Sequence, residues 1–329
     1  MSCPMRLSKL SGLYFLADTI YCSIIYKNRK NSLILPFLLK KQRKMKLKIL
    51  LYALFFAAAT VPAYPQAEIM TKKKDIGDVS SMITKVVISG GDAFVNMVLE
   101  DEIERNWTVS PYEFCDMEEF ERMKCDTNYF FLIRTKGQYG KESGPSVEFL
   151  SLLRGGPKAE KGIDGMPEVI SLPFRTAEDD DGRCMAYIPA FINIIQEHVP
   201  RVTKSDISAY TAMKSYSRLM PGCSWDEIVF AEEDMSPETA AYMDGNYARK
   251  GMRTATDEET NEILEEMRPG TIVSYTIIPE GGKFYFKMLV SAEDYSLFYY
   301  KKQRIPKKQA AGFSKSEIRK IAATKKDGR

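Results

Sequence analysis

The 329-residue sequence predicts an α/β (α+β) protein made of two similar mixed-sheet sandwich domains, an internal duplication, over residues 79–199 and 200–322. Three observations lead there. Each half reads helix, strand, helix, three strands, helix. Consecutive strands joined by turns of a few residues run antiparallel, because a parallel return needs a crossover of a dozen or more residues, so the sheets are mixed. Amphipathic stretches with apolar residues three and four apart flank those strands, so helices cover the sheet faces.

The elements follow in order. After a linker over 64–78, rich in charge from Lys72 to Asp78, Gly90-Gly91-Asp92 breaks the chain and caps a helix over 93–105. Phe94, Met97, Val98 and Ile103 share one face of it. Residues 107–114 alternate as a strand, and Pro111 restricts it to a sheet edge. Asp116 then caps a helix over 116–124 whose acids precede its bases, the order the helix dipole favours. Strands over 129–135, 147–153 and 168–174 and a helix over 186–198 complete the half. The second half repeats the order with a helix over 207–219, a strand over 247–255 and a helix over 257–267 opened by Thr256. Strands over 271–279, 283–292 and 297–300 follow, the first two joined by the tight turn Glu280-Gly281-Gly282, and Ser314 caps a last helix over 314–322.

The amino-terminal region predicts export. Lys46 and Lys48 precede an apolar run over 49–61, and Val61 and Ala63 frame a small-residue exit suited to signal peptidase. That run is shorter than the roughly 20 residues a membrane-spanning helix needs, and Pro62 and Pro65 stop a helix from continuing. Residues 45–63 therefore read as a signal peptide, residues 1–44 as a start-site overcall, and the working chain as a soluble periplasmic or extracellular protein beginning near Tyr64, with no integral membrane span. The alternative, a membrane-associated segment over 10–26, is interrupted by Asp18.

Charge is unevenly spread. Of the 47 basic and 44 acidic residues, 11 and one precede Tyr64, which turns a net charge of +3 into −7. Residues 299–329, ending in the basic tail 323–329, contain 11 basic and two acidic residues on an otherwise acidic body. Such an end suits an acidic polysaccharide, anionic headgroups or an envelope protein. Nucleic acid is not an expected partner of an exported protein.

A wider pattern joins these elements. The run from Phe94 through Asn106-Trp107-Thr108-Val109-Ser110-Pro111-Tyr112-Glu113-Phe114 to Glu119-Phe120 and Asn128-Tyr129-Phe130-Phe131-Leu132, with the closing Tyr299-Tyr300, Ile305, Gly312-Phe313 and Ile318, resembles a group of exported Bacteroidetes proteins of unassigned activity. The resemblance implies export and the same fold and carries over no functional residue.

The single histidine, His198, excludes sites built on two histidine ligands. A Cys184–His198 pair is weighed against a histidine that caps a helix end before Pro200. Glu178-Asp179-Asp180-Asp181-Gly182 fails as a calcium loop, because Ala177 falls where the first carboxylate belongs. No GxSxG elbow, phosphate loop or dinucleotide fingerprint occurs, so no cofactor and no metal is expected. Four cysteines, Cys115, Cys125, Cys184 and Cys223, remain after export.

Aromatic residues concentrate near the end of the chain. On an alternating strand one face is buried and the other open, so Phe284, Phe286, Tyr295, Tyr299 and Tyr300 form the candidate partner surface beside the basic tail. The expected function is a non-enzymatic binding or assembly protein of the envelope. The alternative is a secreted hydrolase acting on glycan or peptidoglycan with paired carboxylates at the domain junction.

Overall fold

The computed structural model describes residues 71–178, 182–218, 220, 223–307 and 310–325. The start-site and signal-peptide readings, and most of the basic tail, lie outside the described residues. Tyr64–Arg329 is one compact unit. Among the described residues no helix is long and apolar enough to cross a membrane.

The first half is β1 (Ile83–Ile88), α1 (Ala93–Asn106), β2 (Tyr112–Asp116), α2 (Met117–Met123), β3 (Tyr129–Gly137), β4 (Val147–Arg154) and β5 (Glu168–Thr176), followed by α3 (Ile188–Val202). The second is β6 (Glu227–Ala231), α4 (Pro237–Tyr247), β7 (Met252–Ala255), α5 (Asp257–Glu265), β8 (Thr271–Ile277), β9 (Phe284–Ser291), β10 (Leu297–Arg304) and α6 (Lys315–Ala322). The two five-stranded sheets have orders β2-β1-β3-β4-β5 and β10-β9-β8-β6-β7. These are one topology: β1 and β6 each lie between two parallel neighbours, and the last three strands of each half run antiparallel. The α/β class, the mixed sheets and the similarity of the halves stand as expected.

Local chemistry sets most boundaries. Asp92 caps α1 by accepting from the Val95 amide at 3.3 Å, Asp116 caps α2 through Glu119 at 2.8 Å, and Thr256 caps α5 through Glu259 at 3.3 Å. Ser314 and Glu317 form a reciprocal capping box on α6. Gly281, at φ 67°, closes the β8–β9 turn. Strand β2 is an edge strand, and it begins only after Pro111.

Several elements depart from expectation. The repeat contains one more strand per half, the central β1 and β6, and α4 occupies Pro237–Tyr247, so the strand expected over 247–255 begins at Met252. Lys85 breaks the apolar pattern of β1, yet it is buried and neutralised by Glu113 at 2.6 Å and Glu119 at 2.7 Å. The helix expected over 207–219 begins as a short α-helix, Asp206–Thr211, and continues as a 3-10 stretch, Ala212–Arg218. Ile76, in the expected linker, is buried in the core.

The halves have separate sheets and a common interior. Helix α3 buries nine of its side chains on a broad apolar face, while Pro189, Asn193, Glu197 and Arg201 line its open side. Phe191 on it stacks edge-on against Tyr275 of β8 at 5.6 Å, and Phe149 of β4 against Phe286 of β9 at 5.9 Å. The Tyr275 hydroxyl donates to the Phe174 carbonyl at 2.8 Å. One apolar cluster therefore runs through residues 79–199 and 200–322.

Candidate functional site

At the carboxyl end of β6 the chain turns to one side to make β7, while β8 lies on the other side. This switch point is where open α/β sheets place ligands. Asp234, directly after β6, is fully buried there. Arg183, from the turn Arg183–Ala186 between the halves, donates to both its oxygens at 2.9 and 3.2 Å. The Thr276 amide and hydroxyl add bonds of 3.1 and 2.7 Å, and Ser274 one of 2.5 Å. The guanidinium stands 4.9 Å from the centre of the Tyr275 ring. Burying these charges is tolerable because each is paired and hydrogen-bonded.

The first half carries a counterpart at the ends of β1 and β3. Arg175 reaches Asp92 and Glu148, both at 2.6 Å, and Arg134 reaches Asp92 at 3.4 Å, Ser89 at 2.8 Å and Asn96 at 2.8 Å. Both knots spend their charges inside the fold.

Asp257, the first residue of α5, is the titratable exception. Its Oδ1 lies 3.2 Å from Arg183 Nε, is shielded from water and accepts no hydrogen bond. Burial raises its carboxyl to about 6 despite Arg183, and the nearby Glu233 and Asp234 carboxylates add to the rise. Glu233 stands within hydrogen-bonding reach of Asp257. That is closer than the roughly 5–9.5 Å separations used in glycoside hydrolysis. The adjoining cavity, lined by Thr176, Arg183, Glu233, Tyr275 and Thr276, holds 260 Å³, below the usual range of about 300–1,000 Å³ for ligand pockets.

Because the folded value lies above the ordinary 3.8, Asp257 stabilises fully below about pH 3.8, and that contribution is lost as pH rises through 6. Compared with an Asp257→Asn variant, the wild-type protein is expected to lose about 3 kcal/mol across this interval. Urea unfolding of both proteins between pH 4 and 8 reads the difference. Parallel pH profiles would refute the assignment.

No family model, curated protein or solved structure matches this chain.

The residues singled out from sequence fall elsewhere. Phe286, Tyr299 and Tyr300 are buried, and Phe284 and Tyr295 are half-buried against the core. Phe286 packs on Phe149, Tyr299 lies beside Phe313 and donates to Glu317 at 3.1 Å, and the Tyr295 hydroxyl reaches the Leu264 carbonyl at 3.3 Å. These rings are interior packing and present no common stacking face, because α6 covers the side of the sheet that alternation left open.

His198 neither caps nor meets solvent. It is buried in α3, with Nδ1 3.1 Å from the Tyr216 hydroxyl, and burial, reinforced by Arg201, lowers it to about 3. Among the described residues the cysteines form no disulfide: Cys115 and Cys184 are buried and Cys125 is exposed.

An exposed aromatic-cationic face lies instead on α4 and α6. Arg319 Nε donates to the Tyr242 hydroxyl at 2.8 Å, with its guanidinium 5.5 Å from that ring. Lys315 stands 5.6 Å from the same ring and pairs with Glu238. The Tyr247 ring packs edge-on at 5.9 Å. The Tyr247 hydroxyl, followed by Arg319, draws the Tyr242 phenol below its ordinary value. Lys325 continues the face, donating to the carbonyls of Asp226 and Lys250 over the Trp225 ring, and Arg249, Lys250 and Lys320 are exposed. Sequence reading missed Tyr242 and Tyr247, since α4 itself was not recognised. The basic tail was the available signal.

Proposed function

We propose that this chain is an exported envelope protein that binds an acidic polysaccharide through the face of α4 and α6. The observation that carries the reading is the cluster of half-buried Tyr242 and Lys315 with exposed Arg319, and the further cations Lys320, Lys250 and Lys325 on the same two helices and the segments that follow them. Fixed tyrosine rings offer apolar faces to sugar rings, and the cations match carboxylate or sulfate groups along a polymer. The hydrogen bond from Arg319 Nε to the Tyr242 hydroxyl holds the arginine in place before any ligand arrives, which reduces the ordering that binding requires. The basic residues after Lys325 extend the positive charge along the sequence. Export rests on the sequence between Lys46 and Ala63.

The test is titration of the purified protein with polygalacturonate, with neutral dextran and with an oligonucleotide of similar charge. Polygalacturonate is expected to bind, and to weaken about tenfold or more when salt rises from about 50 to 300 mM. Dextran is expected not to bind. The Arg319→Glu/Lys320→Glu double variant, altered only at exposed positions, is expected to lose binding. Equal binding of dextran, tighter binding of the oligonucleotide or an unaffected double variant would each overturn the proposal. Mass spectrometry of the protein from its native cells is expected to find a chain beginning near Tyr64; a chain retaining Met1 would refute export.

A further inference from the structure

The clearest uncompensated charge lies at the opposite end of the first sheet from its arginine–carboxylate knot. Arg134, Arg175 and Arg183 are each neutralised by a carboxylate. Arg154, the last residue of β4, has no carboxylate partner among the described residues. Its terminal nitrogens donate to the carbonyls of Asp75 at 3.2 Å and Thr127 at 3.5 Å. Its Nε is shielded from water and has no partner.

That guanidinium lines a cavity of 400 Å³, within the size range of ligand sites. Lys74, from the turn Lys73–Ile76, and Lys158, from the 3-10 turn Pro157–Lys161, line it too, and neither has a carboxylate partner among the described residues. Three cations from three separate segments thus face one space, against the exposed acids Asp75 and Asp164 on its wall. The wall between them is bare main chain. A Cβ on Gly155 would stand 2.0 Å from the Asp126 carbonyl oxygen, and one on Gly165 would stand 2.1 Å from that of Lys158, so only glycine fits at either place. These close main-chain approaches fix the wall of the cavity beside the partly buried guanidinium.

We infer that this cavity binds the phosphate group of a small, freely diffusing solute. A phosphate dianion offers the charge and the several acceptor oxygens that one planar guanidinium and two ammonium groups can share, whereas a single carboxylate uses one fork. The inference is independent of the polysaccharide reading, which concerns the other half of the chain.

Calorimetric titration of the full chain with inorganic phosphate and with glycerol phosphate tests it, alongside acetate and vesicles of phosphatidylglycerol. Both phosphates are expected to bind at one saturable site with dissociation constants below about 10 mM at low salt, and to raise the unfolding midpoint as they do so. Acetate is expected to bind at least about fivefold more weakly. Lys158→Ala, an exposed change that leaves the fold intact, is expected to weaken phosphate at least about fivefold, and Arg154→Gln to abolish binding. Should Arg154→Gln fail to fold, Lys74→Ala/Lys158→Ala takes its place. Absence of saturable phosphate binding, an unaltered affinity in Lys158→Ala, equal affinity for acetate, or binding to vesicles without binding to the free phosphates would each overturn the inference. Arg319→Glu/Lys320→Glu is expected to leave phosphate binding unchanged, which separates this site from the polymer-binding face.

Discussion

An Asp234→Ala variant is expected to lose about 3–5 kcal/mol of stability, because a buried charge loses its principal, bidentate partner. Asp234 is fully buried and accepts from Arg183, Ser274 and Thr276, so its loss removes the main partner of the guanidinium, leaving it Asp257, and strands three further donor groups. The bond also ties the segment after the first sheet to the end of β6, so the damage reaches both halves. Urea unfolding measures the loss. The Arg183→Met/Asp234→Ala double variant is expected to recover a large part of it, since both charges are then absent and the two changes are strongly coupled. A single variant that loses less than about 1 kcal/mol would show that the knot contributes no more than a surface ion pair.

A loss of similar size, about 3–5 kcal/mol, is expected for Glu317→Ala. Lys287, with its side chain entirely buried on β9, donates to both Glu317 oxygens at 2.7 and 2.6 Å. The same carboxylate accepts from Lys301 at 2.7 Å and from the Ser314 amide at 3.1 Å, so the change also uncaps α6. Burial alone would raise the Glu317 carboxyl, but Lys287, Lys301 and Ser314 outweigh it and hold it at about 2. A lowered carboxyl stabilises fully above its unfolded value of 4.5, and that contribution is lost as pH falls through 4.5 toward 2. The wild-type protein is therefore expected to converge on Glu317→Ala in acid. A gap between the two that stays constant from pH 6 to 3 would contradict the ion-pair account. Lys287→Met/Glu317→Leu, which packs apolar groups in the same space, is expected to be more stable than Glu317→Ala.

Turns and helix starts were legible because their chemistry is local. Asp92, Asp116, Thr256 and Ser314 each stand within three residues of the amide they cap, and Gly281 supplies the left-handed turn between two β-rich runs. Strands β1 and β6 were not legible. Lys85 reads as solvent-facing until Glu113 and Glu119, 28 and 34 residues away, are brought beside it. The five residues of β6 run directly into Glu232-Glu233-Asp234, an acidic stretch that reads as a loop.

The aromatic surface failed for a related reason. Alternation tells which residues share a face but not whether that face meets water. Every residue of β9 after Phe284 is buried, because the common core lies on one side and α6 on the other. The Arg183–Asp234 pair spans 51 residues and exists only once the second sheet is formed. The tyrosines of α4 were hidden by a helix whose sequence, Pro237–Tyr247, has no marked apolar stripe.

The shared interior has a consequence for how the repeat can be handled. In an array of stacked repeats each unit adds its own increment of stability, and units can be added or removed. Here Phe149 needs Phe286, Phe191 needs Tyr275, and α3 lays its broad apolar face into the common core. Cutting the chain after Val202 would hand each fragment a raw, apolar surface in place of its neighbour. The repeat is thus a pattern of chain tracing without modularity, and the two halves are expected to unfold together.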